Sequence, residues 1–568
     1  SSKVFMAYSN IEGGAGGIDT TGGSCVSLNW LDGNTTTYPS FVDTANGDYH
    51  LSDLSPAISA GTDSIQISGT WYTAPTTDLD GYRRPNPAGT VPDMGAYESA
   101  MGVEAGYVGP VWYVDGPAGL PYGNGGPGAP FKTIQAGIDA SSAGDTVSVK
   151  AGTYIENIDF DGKNIAVYGE DQATTIIDGN QSGSVVIFEL EETAAAMLSG
   201  FTITNGGDVN SGGGIRCTSN SNPTLNNLIV QNNTANNGGG ISLESSNPTL
   251  SNVTIRGNTA SDGRGGGLSC TNSSDPSLVN VLISGNTSSQ EGGGVYNNAS
   301  DPSFVNVTIT GNLSSPTEGN GIFCMNNSNP NLVNTILWGN GPDALEFASY
   351  DGSNSITIFY SNIEGGQDSI ITNDNGTVTW GSGNINVDPM FVDTANGNYH
   401  LLASSQLINA AHPDSTDSDG TVADIGAYPY LNSYSGPLWV VEESSGNDTT
   451  GTGADDNKFA SIQAAINFAS DDDSVSVWPG TYYENINFRG RNIKVVGYQW
   501  TTGAYPVIDG NQNGSVVEFV NGEDSTTILN GFTLTNAFFE SMSGFTTTGA
   551  SIFTDIDCFM IRSSSDAG

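Results

Sequence analysis

The residues best suited to chemistry are aspartates spaced one apart ahead of a glycine. Asp78 and Asp80 stand in "DLDG" with Asp93 following in "PDMGAYE"; Asp417 and Asp419 stand in "DSDG" with Asp424 in "ADIGAYP". Alternating carboxylates before a turn can aim hard oxygens at one point, which is the chemistry of calcium. Ca2+ is therefore the cofactor candidate, with Asp78, Asp80 and Asp93 as one ligand set and Asp417, Asp419 and Asp424 as the other. Against it, no distal bidentate Glu completes a loop, and Asp-Gly is also ordinary turn chemistry. His50 and His400, in two copies of "YHL", stand beside aliphatics and are expected to pack. From 202 to 430 the only basic residues are Arg216, Arg256 and Arg264, and the only histidines are His400 and His412. Arg256 falls at an outward strand position and Arg264 in a Gly-rich turn, neither beside an evident paired base.

The charge balance narrows the partners. Against 14 Lys and Arg stand 60 Asp and Glu, a net charge of -46 over 568 residues. Nucleic acid, whose affinity rests on neutralised phosphates, is excluded as a partner, and so is an anionic membrane surface. No segment is long and apolar enough to insert in a bilayer. The opening "SSKVF" carries neither Met nor a secretion signal, as a mature or cut product would. Five Cys do not make a disulfide scaffold at this length. An acidic surface rich in Asn, Ser and Thr suits an extracellular setting.

Repetition dictates what positions these residues. Pro223, Pro248, Pro276, Pro302 and Pro330 recur every 25 to 28 residues. Each is followed by an apolar residue (Leu225, Leu250, Leu278, Phe304, Leu332) and by Asn (Asn227, Asn252, Asn280, Asn306, Asn334). An alternating stretch comes next, with Val253 and Ile255 on one face and Thr254 and Arg256 on the other. A second Asn closes it (Asn233, Asn258, Asn286, Asn312, Asn340), and a Gly run precedes Ile215, Ile241, Leu268, Val295 and Ile322. Short alternating runs between turn residues are strands. The period fits one coil of a parallel β-helix, in which equivalent residues stack roughly 4.8 Å apart. Both Asn columns are then expected to form ladders, and the Gly runs to supply positive φ at corners. Cys217, Cys270 and Cys324 share the inward face on alternate coils, too far apart for a disulfide. Sequons at Asn252, Asn286, Asn306 and Asn312 lie in the ladders, whereas Asn34, Asn272, Asn298, Asn326, Asn375 and Asn447 are freer to carry glycan.

A longer duplication overlies the short one. "FKTIQAGIDASSAGDTVSVKAGTYIENIDFDGKNIAVYG" from 131 returns as "FASIQAAINFASDDDSVSVWPGTYYENINFRGRNIKVVG" from 459, and "YSNIEGG" with "FVDTANGDYHL" returns from 360 and 391. One complete module thus runs over 109–435, preceded by the C-terminal part of a module (1–108) and followed by the N-terminal part of another (436–568). In each head, Thr133 or its counterpart is a plausible N-cap for a short helix that closes the bottom of the coil, with Ile134 and Ile138 facing inward. The fold class is all-β, a right-handed parallel β-helix in tandem modules with short capping helices.

The head "FKTIQAGIDA…GDTVSVKAGTYIENI" resembles the start of pectate-lyase-like β-helix proteins, pectin methylesterases included. The rungs with "GGGI" and "ITGN" resemble polymorphic outer membrane protein repeats, and "DLDGYRRPNPAGTVPDMGAYES" resembles the end of secreted β-helix proteins of the choice-of-anchor type. The resemblance implies a fold rather than an activity. Pectate lyases use an Arg base beside acidic calcium ligands, and no such set stands in the rungs. The methylesterase likeness stops after the head. The leading expectation is an extracellular structural or adhesive surface protein, not an enzyme, whose chains join head to tail as a homopolymer in a filament or stalk. A polysaccharide lyase or esterase is the alternative, and a non-catalytic adhesin for surface glycans the third reading.

Overall fold

The computed structural model describes residues 2–18, 25–52, 55–86, 88–100, 107–116, 124–315, 318–350, 352–499 and 503–536. It divides into two compact units, 1–235 and 236–568. Both are built from coils of a right-handed parallel β-helix.

In the first unit, Val111–Val114, Thr146–Val149, Ala166–Gly169, Met197–Thr204 and Thr224–Gln231 pair in parallel, in chain order. A second face stacks Ile158–Asp159, Val186–Phe188 and Ile215–Cys217. The inward residues form the core; Phe160 and Phe188, both fully buried, meet at 4.2 Å between ring centroids. Helix α1 (Ile134–Ala140) starts at Thr133, whose hydroxyl accepts from the Ala136 amide. The Glu156 carboxylate takes the next two free amides, Ile134 N at 2.8 Å and Gln135 N at 3.0 Å. A Cβ at Gly137 would lie 2.7 Å from Val147 Cγ1, so only Gly lets the helix press this closely on the first coil.

In the second unit, the columns read from sequence stand in register. Leu250, Leu278, Phe304 and Leu332 are consecutive partners, as are Ile241, Leu268, Val295, Ile322 and Leu345. Cys270 lies between Leu243 and Asn297, with Cys324 beyond, all fully buried.

The two Asn columns differ in kind. Asn258, Asn286, Asn312 and Asn340 are fully buried. Asn286 Oδ1 accepts both the backbone and side-chain N–H of Asn258, each at 3.0 Å, while its own Nδ2 donates to Ile255 O and Asn312 Oδ1. Asn312 and Asn340 continue the pattern. The other column, Asn252, Asn280, Asn306 and Asn334, turns the strand at φ of 53–56°. Its amides also chain together, but Asn252 and Asn280 are exposed. That column is a left-handed corner, tolerated best by Gly and Asn.

The Gly runs serve two purposes, only one of which was expected. The first Gly of each run has positive φ, as at Gly238 (57°) and Gly265 (69°). The last does not; a Cβ on Gly240 would stand 2.5 Å from Gly267 O on the next coil. Of the sequon residues expected to be freer, Asn34 and Asn375 have their amides donated to Met6 O and Ala348 O.

Candidate functional site

The acidic tail motifs fold into staples. In the first tail, Asp78 Oδ1 accepts from Tyr82 N and Oδ2 from Glu98 N. Asp93 accepts from Ser59 N at 2.7 Å and Ser99 N at 2.6 Å. In the second tail, Asp417 accepts from Asp424 N, Asp419 from Thr421 N and Asn432 N, and Asp424 from Asn409 N at 2.7 Å and Tyr430 N at 2.6 Å. Asp93 and Asp424 thus occupy one role in both copies, tying two distant loops through one carboxylate. Asp80 is turned to His50 Nε2 at 2.7 Å. Among the described residues, no group of three or more His, Cys, Asp or Glu is placed to hold a metal ion. Burial pushes the Asp417 carboxyl up to about 6 and that of Asp424 up to about 8, opposed by their backbone amides.

The second tail lies along the flank of its own coils. Thr254, Leu282, Thr308 and Ile336 form an outward column, yet Leu282, Thr308 and Ile336 are buried. Leu401, Leu407, Ile408, Ala411, Ala423 and Ile425 pack with Ile336. Ala427 N donates to Thr308 Oγ1, Gly426 N to Asn334 O, and His412 N to Asn334 Oδ1. Burying this column removes apolar surface from water, the main favourable term in such packing.

The same tail grips the head that follows it. Helix α2 (Ile462–Phe468) presents Asn467, whose Nδ2 donates to Ala403 O at 2.9 Å and Ser405 O at 2.7 Å. Arg489 Nη1 donates to Ile408 O at 2.8 Å and to Asn467 Oδ1 at 2.9 Å. Burial pulls the Arg489 guanidinium down to about 10 while Asp424 raises it, so it stays charged at neutral pH. Tyr430 OH donates to Gly451 O, and its ring lies 5.5 Å from Phe468. The first head has Asp139 and Asp161 where Asn467 and Arg489 stand. The donors Asn467 and Arg489 therefore have no counterpart of the same type in the first head.

A cavity of about 490 Å³ opens beside the joint, lined by Gln406, Glu443, Asp448, Tyr482, Tyr483 and Glu484 among others. Two of its carboxylates have structural duties. Glu484 takes Ile462 N and Gln463 N, as Glu156 does in the first head, and Asp448 takes Ala460 N and Ser461 N. Full burial pushes Glu484 up to about 7.

Both "YHL" histidines lie against the Tyr of "GAY": His50 tilted over Tyr97 at 4.0 Å and His400 stacked on Tyr428 at 4.5 Å. Their polar partners differ. His50 bridges Asp48 (2.6 Å) and Asp80 (2.7 Å), which raise its pKa, whereas burial lowers that of His400 beside Asn398. Of the rung arginines, Arg216 pairs with Glu189 at 2.6 Å and Arg264 with Glu291 at 2.5 Å; Arg256 lies beside Gly397 of the tail.

Sequence reading missed the joint and the first tail's hairpin. An alignment of the two heads exposes Arg489 against Asp161, and one of the two tails exposes the hairpin. The buried outward column had its own signal, Leu282 and Ile336 where neighbouring rungs carry Thr254 and Thr308.

No family model matches the sequence, and no curated protein matches it. Among solved structures, the chain is similar to the pectate lyase Pel9A, at 18% identity and a TM-score of 0.34, over 56% of this chain and 96% of that one. A pectin methylesterase from carrot matches at 14% identity and TM-score 0.25, over 49% of this chain and 80% of that one. The PL6 family alginate lyase AlyGC matches at 13% identity and TM-score 0.18, over 75% and 71%. These likenesses concern the coil architecture alone.

Proposed function

We propose that this chain is a modular structural protein of an extracellular surface, a stalk or filament subunit rather than an enzyme. The observation that carries the reading is the joint of the second unit. There one tail seals the flank of its own module and is hydrogen-bonded to the next head through Asn467 and Arg489. A buried, charged and apolar joint between successive modules suits a part that transmits position or load. Self-association head to tail is the partner proposal. Residues 549–568 of one chain would supply the strand that meets the first coil of the next; they lie outside the described residues.

The competing reading, a polysaccharide lyase or esterase, needs a base beside a site for an acidic sugar. Arg216 and Arg264 are each neutralised by a glutamate. Release of unsaturated uronates or methanol from pectin by the pure protein, lost in Arg256→Ala, would favour the enzyme.

The joint is tested by amide exchange on the full chain. Slow exchange at 403–409 and 462–468 is expected, and Arg489→Ala should accelerate it there while the coils over 241–314 stay protected. If those segments exchange in the parent as fast as exposed loops, the joint is not rigid and the reading falls. Sedimentation at rising concentration tests self-association; a chain that remains monomeric counts against the filament.

A further inference from the structure

The two tails are built on one plan but differ by a single elaboration. Four residues separate Ala411 from Thr416 in the second tail, and fifteen separate the corresponding Gly61 and Thr77 in the first. The surrounding frame is the same in both. Asp93 and Asp424 staple equivalent loops, and isolated bridges join Thr77 to Arg83 and Thr416 to Val422. The additional residues are therefore not needed to build a tail.

They form an antiparallel hairpin, Ser64–Ile67 with Thr70–Thr73. The turn Ser68-Gly69 has φ of 51° and 86°, the left-handed pair that matches strand twist in a two-residue hairpin. Ala74 N donates to Asp63 O at 2.8 Å and closes the base. The register opposes Gln66 to Trp71 and Ser64 to Thr73. Because side chains alternate along each strand, these four share one face. Trp71 is 64% exposed, and Gln66 and Thr73 are exposed as well. Gln66 Nε2 donates to Gly69 O, which holds its amide at the turn end of the face. Ile65, Ile67 and Tyr72 fall on the opposite side, where the two isoleucines are half-buried and Tyr72 is exposed.

We infer that this face binds a neutral polysaccharide, with one pyranose ring lying on Trp71. A single flat aromatic ring bordered by an amide and two hydroxyls complements a sugar, whose C–H face is apolar and whose rim is polar. An apolar protein partner would ask for contiguous apolar surface, and the neighbours of Trp71 on its face are all polar. The face carries no charged residue, and the chain's net charge of -46 repels anionic polymers, which leaves uncharged glycans as the complementary class. The inference gives the proposed surface protein a ligand. It depends on the first tail and not on the joint, so it can fail while the stalk reading stands.

The test is depletion of the full-length protein from suspensions of cellulose, chitin and starch. Soluble polygalacturonate serves as an anionic probe and phosphatidylcholine vesicles as a lipid probe. Binding to at least one neutral polymer is expected, weakened roughly tenfold or more (1.4 kcal/mol for each factor of ten) in Trp71→Ala. Trp71→Tyr should retain part of it. Excision of residues 64–74, which shortens this tail to the length of the second, should abolish binding and leave the thermal melt unchanged. Failure to bind any neutral polymer, binding indifferent to Trp71→Ala, or Trp71-dependent binding to polygalacturonate or vesicles instead would each overturn the inference.

Discussion

Replacing Asn286 by Ala is the sharpest perturbation of the coil. Asn286 is fully buried, and its amide makes four hydrogen bonds to three neighbours. Truncation leaves the Asn258 backbone N–H and one Asn258 Nδ2 hydrogen without their acceptor, and Ile255 O without this donor. Asn312 Oδ1 keeps the Asn286 backbone N–H at 3.0 Å and is only partly deprived. An orphaned buried polar group costs about 1–3 kcal/mol. Two or three of them, less what relaxation or an entering water recovers, put the penalty at about 3 kcal/mol. Asn286→Asp should be worse than Ala, because it keeps the acceptor but introduces a buried charge without a cationic partner. Because a long coil need not unfold in one step, the assay is amide exchange resolved by coil, with a circular-dichroism melt beside it. Coils over 249–314 should lose protection first, while both helices keep theirs. An Asn286→Ala protein within about 0.5 kcal/mol of the parent, the range of ordinary surface substitutions, would refute the ladder as a source of stability.

Asn280, exposed in the left-handed column, should behave differently: Asn280→Gly is expected to be nearly neutral, whereas Asn280→Ala costs about 1–2 kcal/mol from its φ of 56°, measured by the same melt. The two tail histidines should titrate in opposite directions by NMR. His50, raised by Asp80 and Asp48, supports the first tail below the free-histidine pKa and loses that support as pH rises through its higher folded value. His400, lowered by burial, supports the second tail above the free value and weakens as pH falls. Equal pKa values for the two would contradict the pairing with Asp48 and Asp80. Calcium at Asp78, Asp80 and Asp93 or at Asp417, Asp419 and Asp424 is proposed separately: a melt lowered by excess chelator supports it, and an unchanged melt removes it.

The coils were legible because each column repeats one demand. An inward position must be apolar on every coil, so Leu250, Leu278, Phe304 and Leu332 announce each other at a fixed period. The two Asn columns looked alike because both are selected by stacking. Only three dimensions separate the buried ladder from the left-handed corner, where Asn252 and Asn280 are exposed and Asn334 is buried. The tail was harder. Its carboxylates accept from amides far away in sequence, such as Asn409 N to Asp424, and a spacing of Asp-x-Asp-Gly reads equally as ligand set or staple. The joint was least legible, since Arg489 acts on the carbonyl of Ile408, eighty-one residues earlier. Nothing in the local pattern of the second head points there.

The division of labour between coils and tail has an evolutionary consequence. The tail docks on Thr308, Asn334 and Ile336 in the last coils before it, and reaches back to Thr254 through Tyr428 and to Arg256 beside Gly397. A duplicated coil placed earlier, ahead of Thr249, would lengthen the module by roughly 4.8 Å and leave these docking residues untouched. Length can thus drift by copying a unit of 25 to 28 residues, while the fastening to the next module is inherited whole. Such a protein has a ruler and a coupling that mutate independently, and selection can retune its reach in small steps without rebuilding its joints.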